Sequence, residues 1–212
     1  MYKLYYMPGA CSMAIHVVLN ELGQKVELEN VRVAEGQQRS AEFLKISPRG
    51  QVPILVEEDG NVVREGGAIL IYLLDKHNSL MLPKSGKERA KALEWLMFAN
   101  ATLHPTYSRV FFALRNISDQ AAKDMVLNPT AQQINKLWAE VDTQLAKTKF
   151  LCGEQISAAD ILITVIANWG IGMFPFEIKL GKNVERMIKE VISRQAFKAA
   201  LQREGVEYKA AA

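Results

Sequence analysis

The chain has 212 residues, 26 Lys+Arg against 23 Asp+Glu for a net charge of +3, and 49% hydrophobic residues. That is enough chain for one large core or two smaller ones in an ordinary globular composition, and no apolar run is long enough to span a bilayer. The first 80 residues carry 8 Lys+Arg against 10 Asp+Glu and the remainder 18 against 13, with no basic run, so the charge pattern argues against nucleic acid as a partner. Two cysteines, Cys11 and Cys152, cannot make a disulfide framework. With no basic, apolar and small-residue leader at the N-terminus, a reducing cytoplasm is the expected location.

Residues 3–7 are short and β-prone and stop at Pro8-Gly9, which predicts a strand ending in a turn. From Cys11 the period changes: Ile15, Val18, Leu19 and Leu22 recur at helical spacing, and Gly23 ends the pattern. His16, Asn20 and Glu21 fall among the polar positions, which predicts a solvated face. Val26, Leu28 and the pair Val31 and Val33 predict a second strand, parallel to the first because a helix crosses between them. Ser40 is placed to cap a short helix carrying Phe43 and Ile46. After a turn-rich stretch at 47–53, residues 54–56 and 62–63 read as two strands joined at Asp59-Gly60, and 66–74 as a helix. The first half is therefore βαβ followed by ββα.

Residues 79–86 read as a linker, and beyond them the pattern is helical. Leu93, Leu96, Met97, Asn100, His104, Tyr107 and Phe111 form one stripe that turns polar in its middle, beside Pro105. A polar break on an apolar stripe next to a kink predicts the lining of a cleft. Ser118 is placed to cap the next helix and Asn128-Pro129 to break it, with a further stripe at Ile134, Leu137, Val141 and Leu145. Ser157-Ala158-Ala159-Asp160 has the form of a capping box, opening an all-apolar helix from Ile161 to Ala167 that predicts the core of the second half. Val184, Met187, Ile188 and Val191, then Phe197 and Leu201, predict two last helices.

The chemistry centres on Met7-Pro8-Gly9-Ala10-Cys11-Ser12. A cysteine opening a helix meets converging backbone N–H groups and the positive end of the helix dipole, both of which favour a thiolate. The turn by itself leaves Cys11 open between a reactive thiol and a packed small residue. No second cysteine follows at the spacing of a dithiol motif. Pro53 opens a strand, where either a trans or a cis bond is tolerated. His77, like His16, reads as solvated, and no histidine pairs with another ligand at metal spacing, so no metal is expected.

These pieces together resemble the glutathione S-transferases: an α/β thioredoxin-like domain (βαβ–ββα, mixed four-stranded sheet) over 1–78, then an all-α domain over 87–212. The likeness is to the bacterial beta class. It is carried by the opening at 3–12, Pro48-Arg49-Gly50-Gln51-Val52-Pro53, Glu65-Gly66-Gly67-Ala68-Ile69, Glu94-Trp95-Leu96, Leu103-His104, Phe150-Leu151-Cys152-Gly153 and Ile156-Ser157-Ala158-Ala159-Asp160. The resemblance implies a cis Val52-Pro53 bond, with Val52 pairing to the cysteinyl backbone of glutathione. It implies Glu65 and Gly66 on the γ-glutamyl ammonium and carboxylate, and Ala10, Gln51 and Asn100 as further glutathione contacts. Cys11 then faces the glutathione sulfur, with Ser12 donating to a thiolate and His104 taking a proton or orienting the cysteine. The expected activities are conjugation of glutathione to apolar electrophiles and glutathione-dependent thiol-disulfide exchange through Cys11, the exchange being the more efficient. Tyr107, Phe111, Trp169 and Phe174 are the expected wall for an apolar electrophile. Glutathione is implied as co-substrate with no permanently bound cofactor, in a homodimer without nucleic-acid or membrane partners. The chain departs from the class at Met97 and Pro105, where related sequences carry asparagine and lysine, and in a short loop at 34–39 that offers no matching lysine. A non-catalytic protein of the same fold that binds a protein partner, or a specialised dehalogenase, isomerase or ether lyase using glutathione, are the alternative readings.

Overall fold

The computed structural model describes residues 1–210. The chain divides into two compact units, Met1–Arg89 with Ile192–Glu207, and Ala90–Val191 with the chain from Tyr208 onward.

In the first unit, β1 (Tyr2–Tyr6) alternates buried Tyr2, Leu4 and Tyr6 with half-exposed Lys3 and Tyr5, the period-two pattern of a strand with one face in the core. It pairs in parallel with β2 (Val26–Asn30) and antiparallel with β3 (Ile54–Val56), which pairs antiparallel with β4 (Val62–Arg64), giving the order β2-β1-β3-β4. Helix α1 (Ser12–Glu21) makes the crossover between the parallel strands. The second strand ends at Asn30, earlier than the valine pattern suggests. Val31 is buried and donates to Tyr6 O at 2.8 Å, and Val33 starts a one-turn 3₁₀ helix. Ser40 caps α2 (Ala41–Ile46), accepting from Phe43 N at 3.1 Å, and α3 (Gly66–Lys76) follows the hairpin.

The polar positions of α1 are not solvated, because α9 (Gln195–Glu204) returns from the end of the chain to cover them. His16 is fully buried, its Nδ1 2.8 Å from Glu204 Oε1, while Asn20 donates to Ala196 O and Glu21 pairs with Arg194. The sequence pattern grouped 192–207 with the helical half because helical spacing says nothing about which neighbour a helix packs on. His77 is likewise only half-exposed, its Nε2 2.8 Å from the Tyr2 hydroxyl.

Glu57 ties the β3–β4 hairpin to α3, accepting from Lys76, from the Tyr72 hydroxyl at 2.5 Å and from Asn61 Nδ2 at 2.8 Å. Burial opposes its ionisation, but the Lys76 ammonium and the two neutral donors outweigh it and hold the carboxyl down at about 2. A depressed carboxyl lends stability above its unfolded value and loses it as pH falls through the folded one. Allowing for solvent screening of half-exposed Lys76, Glu57→Gln is expected to cost on the order of 1 kcal/mol near neutrality. Melting curves should show that gap closing between about pH 4.5 and pH 2; a gap independent of pH would show that charge plays no part.

Helix α4 (Gly86–Met97) enters the second unit at Ala90, and a π-helical segment (Phe98–Leu103) and α5 (His104–Asn116) follow it without a loop. Pro105 has no N–H for a regular turn, and the wide π turns immediately before it absorb its ring. Helix α6 (Gln120–Leu145) runs through Pro129, contrary to the expected break. Its buried face, Leu127, Thr130, Ile134 and Leu137, continues on both sides of the proline, and Thr130 Oγ1 donates to Val126 O at 2.6 Å. Tertiary packing here outweighs a local propensity. The cap of α6 is Asp119, one residue past Ser118, accepting from Ala122 N. All ten residues of α7 (Ala158–Ala167) are buried, and α8 (Lys182–Ser193) packs Val184, Met187, Ile188 and Val191 inward.

Candidate active site

The turn from β1 to α1 is fixed from within and from behind. Gly9 takes φ +68°, in the left-handed region, and donates to Glu204 Oε2 at 3.1 Å. Buried Glu204 thus holds both the turn and His16, one through each carboxylate oxygen. Ala10 N donates to Met7 O at 3.1 Å, and Cys11 becomes the half-buried N-cap of α1.

Ser12 does not play the expected part. Its side chain is fully buried, and its hydroxyl donates to Met7 O and accepts from Met7 N, both at 3.2 Å. It closes the turn, and its proton is committed to the backbone. The thiol of Cys11 also departs from expectation. Burial pushes it up to about 11, against the N–H groups of Ser12 and Cys11, which favour the thiolate, while the charge of Glu65 raises it further. Desolvation of a charged sulfur outweighs the helix terminus here, so the thiol is protonated at neutral pH in the free protein.

The peptide bond Val52-Pro53 is cis. Val52 lies just outside the β1–β3 ladder, whose register begins at Ile54, and is half-buried against Val31, Phe43 and Ile54. The residue before it is anchored twice: Gln51 N donates to Ser47 Oγ at 3.0 Å and Ser47 Oγ donates to Gln51 O at 2.8 Å, leaving the Gln51 side chain exposed. Gly50 cannot be replaced without strain. It takes φ +64°, and a Cβ there would lie 2.6 Å from Gln38 O. Of the loop residues beside it, Gln37 is engaged with Arg32.

Glu65 opens α3 with φ 69° and ψ 119°, left-handed backbone that a side-chain-bearing residue rarely adopts. Its exposed carboxylate pairs with Arg49, and half-exposed Gly66 begins the helix behind it. The influence of Glu65 on the Cys11 thiol puts both within one electrostatic field in the first unit. Arg49 escaped the sequence reading of the site. An arginine in a turn between two prolines has no periodic signal, and only the fold brings it across 16 positions to Glu65.

The second unit gathers an aromatic cluster. The His104 ring stands edge-on to Trp169 at 4.8 Å, Phe111 lies 6.3 Å from Trp169 and 5.1 Å from Phe174, and Arg115 stacks over Phe111. Burial holds the His104 imidazole below its ordinary value, so it is neutral at pH 7. Asn100 is half-buried on the π segment. Tyr107 belongs to the core: it is fully buried and its hydroxyl accepts from Trp138 Nε1 at 2.8 Å, so it supports the cluster from below. Tyr208 also escaped notice in the sequence; its hydroxyl donates to Thr164 O, and the tail after it bonds to Asn168 Oδ1 beside Trp169. Cys152 is half-buried, its thiol pushed up to about 11 by burial. Among the described residues there is no group of three or more potential metal ligands, and no helix long and apolar enough to cross a membrane.

A cysteine at the start of the helix after β1, a cis proline ahead of β3 and this sheet order define a thioredoxin-like unit, here followed by helices. The family profile described as glutathione S-transferase, N-terminal domain, matches residues 1–75. Glutathione S-transferase D7 of Drosophila melanogaster is 31% identical over 88% of this chain and 82% of its own. Among solved structures, the bacterial glutathione S-transferase BphK, in a ternary complex, is 32% identical with a TM-score of 0.85, covering 96% of this chain and all of its own. A sphingomonad glutathione S-transferase complexed with glutathione is 28% identical with a TM-score of 0.82, covering 97% and 100%. The chain belongs to the glutathione S-transferase family.

Proposed function

We propose that the protein binds glutathione on its first unit and transfers it to apolar electrophiles. The carrying observation is that Cys11 and Glu65 open two helices of one unit within each other's electrostatic reach. A thiol-sensing residue and an ammonium-sensing residue suit the two ends of glutathione, with Ala10, Gln51, the Val52 backbone and Gly66 as contacts between and beside them. Because Cys11 is protonated near neutrality, its S–H donates to the glutathione thiolate and stabilises the attacking sulfur. On the second unit, neutral, half-buried His104 and the rings of Phe111 and Trp169 form an aromatic wall suited to an apolar electrophile.

A second activity has its own support in Cys11, a nucleophile in its own right. Its thiolate attacks a glutathionylated disulfide, expels the other thiolate and forms a Cys11–glutathione disulfide. A second glutathione thiolate then releases Cys11 and leaves as glutathione disulfide. A homodimer of the bacterial beta class, working in the cytoplasm, completes the reading.

Retention on immobilised glutathione, with turnover of an aryl halide and of a glutathionylated disulfide, tests it. Binding with either turnover supports an enzyme. Absence of binding and of both turnovers would overturn this reading in favour of a non-catalytic partner-binding protein. Light scattering that gives a monomer would remove the dimer.

A further inference from the structure

Arg49 has no part in the roles above, yet its guanidinium Nη2 donates to Glu65 Oε1. The pair faces solvent, with side chains 60% and 64% exposed, and such a pair adds little to stability. It joins the turn ahead of the cis bond to the first residue of α3, at the place assigned to the amino-acid end of glutathione. That end is a zwitterion, an ammonium and an α-carboxylate on one carbon. Glu65 and Arg49 present the two complementary charges side by side, already neutralising each other. Gly66 and Gly67 have no side chains and offer only backbone N–H groups to a carboxylate. A guanidinium is the group whose planar fork matches a carboxylate.

We propose that Arg49 binds the α-carboxylate at the γ-glutamyl end of glutathione. On binding, the Arg49–Glu65 pair opens and the ligand enters between the two charges. Its ammonium takes Glu65 and its α-carboxylate takes Arg49, so two new pairs replace one and no charge is left without a partner. The site therefore selects γ-glutamyl peptides whose terminal zwitterion is intact. The inference rests on the glutathione reading above and specifies which group of the ligand Arg49 holds.

Calorimetric titration of the full chain and of Arg49→Gln and Arg49→Lys tests it. The probes are S-methylglutathione, which removes thiol chemistry, and the same peptide with the γ-glutamyl α-carboxylate amidated. Amidation is expected to weaken binding to the unmodified protein about tenfold, the usual scale of one charge-assisted contact. Arg49→Gln should weaken S-methylglutathione by the same factor and bind the amidated peptide as the unmodified protein does, with Arg49→Lys in between. Equal weakening of both peptides would overturn the proposal, since a structural role does not read the carboxylate. So would unchanged or tighter binding of S-methylglutathione by Arg49→Gln, which would make Arg49 a bystander or a competitor. If the unmodified protein binds neither peptide, the glutathione reading itself fails and takes the proposal with it.

Discussion

Replacing Asp160 by alanine is expected to destabilise the second unit by about 4 kcal/mol, among the largest effects of any single substitution in this chain. Asp160 is fully buried and is the third residue of α7, the helix at the centre of that unit. Its Oδ1 accepts from Leu151 N at 2.9 Å, and its Oδ2 accepts from Ser157 N at 2.8 Å and from Ser157 Oγ at 2.6 Å. Alanine would leave three buried donors without an acceptor, each carrying a desolvation cost of roughly 1–3 kcal/mol that is only partly additive. It would also release the loop at 150–153 from the helix start. Asp160→Asn keeps one acceptor and should lie between the two.

The pH dependence of that loss has a definite sign. Burial, opposed by the Leu151 and Ser157 donors, pushes the carboxyl up to about 6, above its unfolded value of about 3.9. A raised carboxyl contributes stability that is full below the unfolded value and declines as pH rises through the folded one. The gap between the unmodified protein and Asp160→Ala should therefore widen as pH falls from about 7 towards 4. Denaturant unfolding at several pH values reads it. A gap that narrows in acid would mean that the ionised form is the one the fold prefers.

The capping box was legible because its evidence is local: a serine, an aspartate three positions on and an apolar run. The same holds for the βαβ–ββα order, where period and turn residues mark each element, and for Ser40 ahead of α2. What the pattern could not carry depends on which surfaces meet. His16 sits among polar residues on α1 and reads as solvated, until α9 covers that face and supplies Glu204. Pro129 reads as a break, until the buried face on both sides of it holds the helix together. Within the site, Cys11, Glu65 and the cis Val52-Pro53 bond came from order and spacing through a family likeness. Arg49 and the backbone engagement of Ser12 are properties of the folded turns alone.

The thiol of Cys11 makes the sharpest case, and it carries the last expected result. A helix N-terminus predicts a lowered pKa, but the sulfur is desolvated and Glu65 adds a repelling charge, so the thiol stands at about 11. At pH 7 the thiolate is then roughly one part in ten thousand, on the definition of a pKa. Formation of the Cys11–glutathione disulfide from glutathione disulfide, followed by mass spectrometry, should accelerate about tenfold per pH unit between roughly pH 7 and 10. Glu65→Gln removes the repelling carboxylate and should speed the attack of Cys11, at fixed pH, on a small disulfide that has no γ-glutamyl ammonium for Glu65 to hold. Cys11→Ser abolishes it, a loss on the order of a thousandfold or more in disulfide turnover. In the conjugation proposed above Cys11 serves as a donor, so serine, which also donates, should stay within a few-fold, while Cys11→Ala should fall about tenfold or more. A disulfide-forming rate that is flat from pH 6 to 9 would show an ionised thiol and reverse the assignment, making exchange the main chemistry and removing the S–H donor.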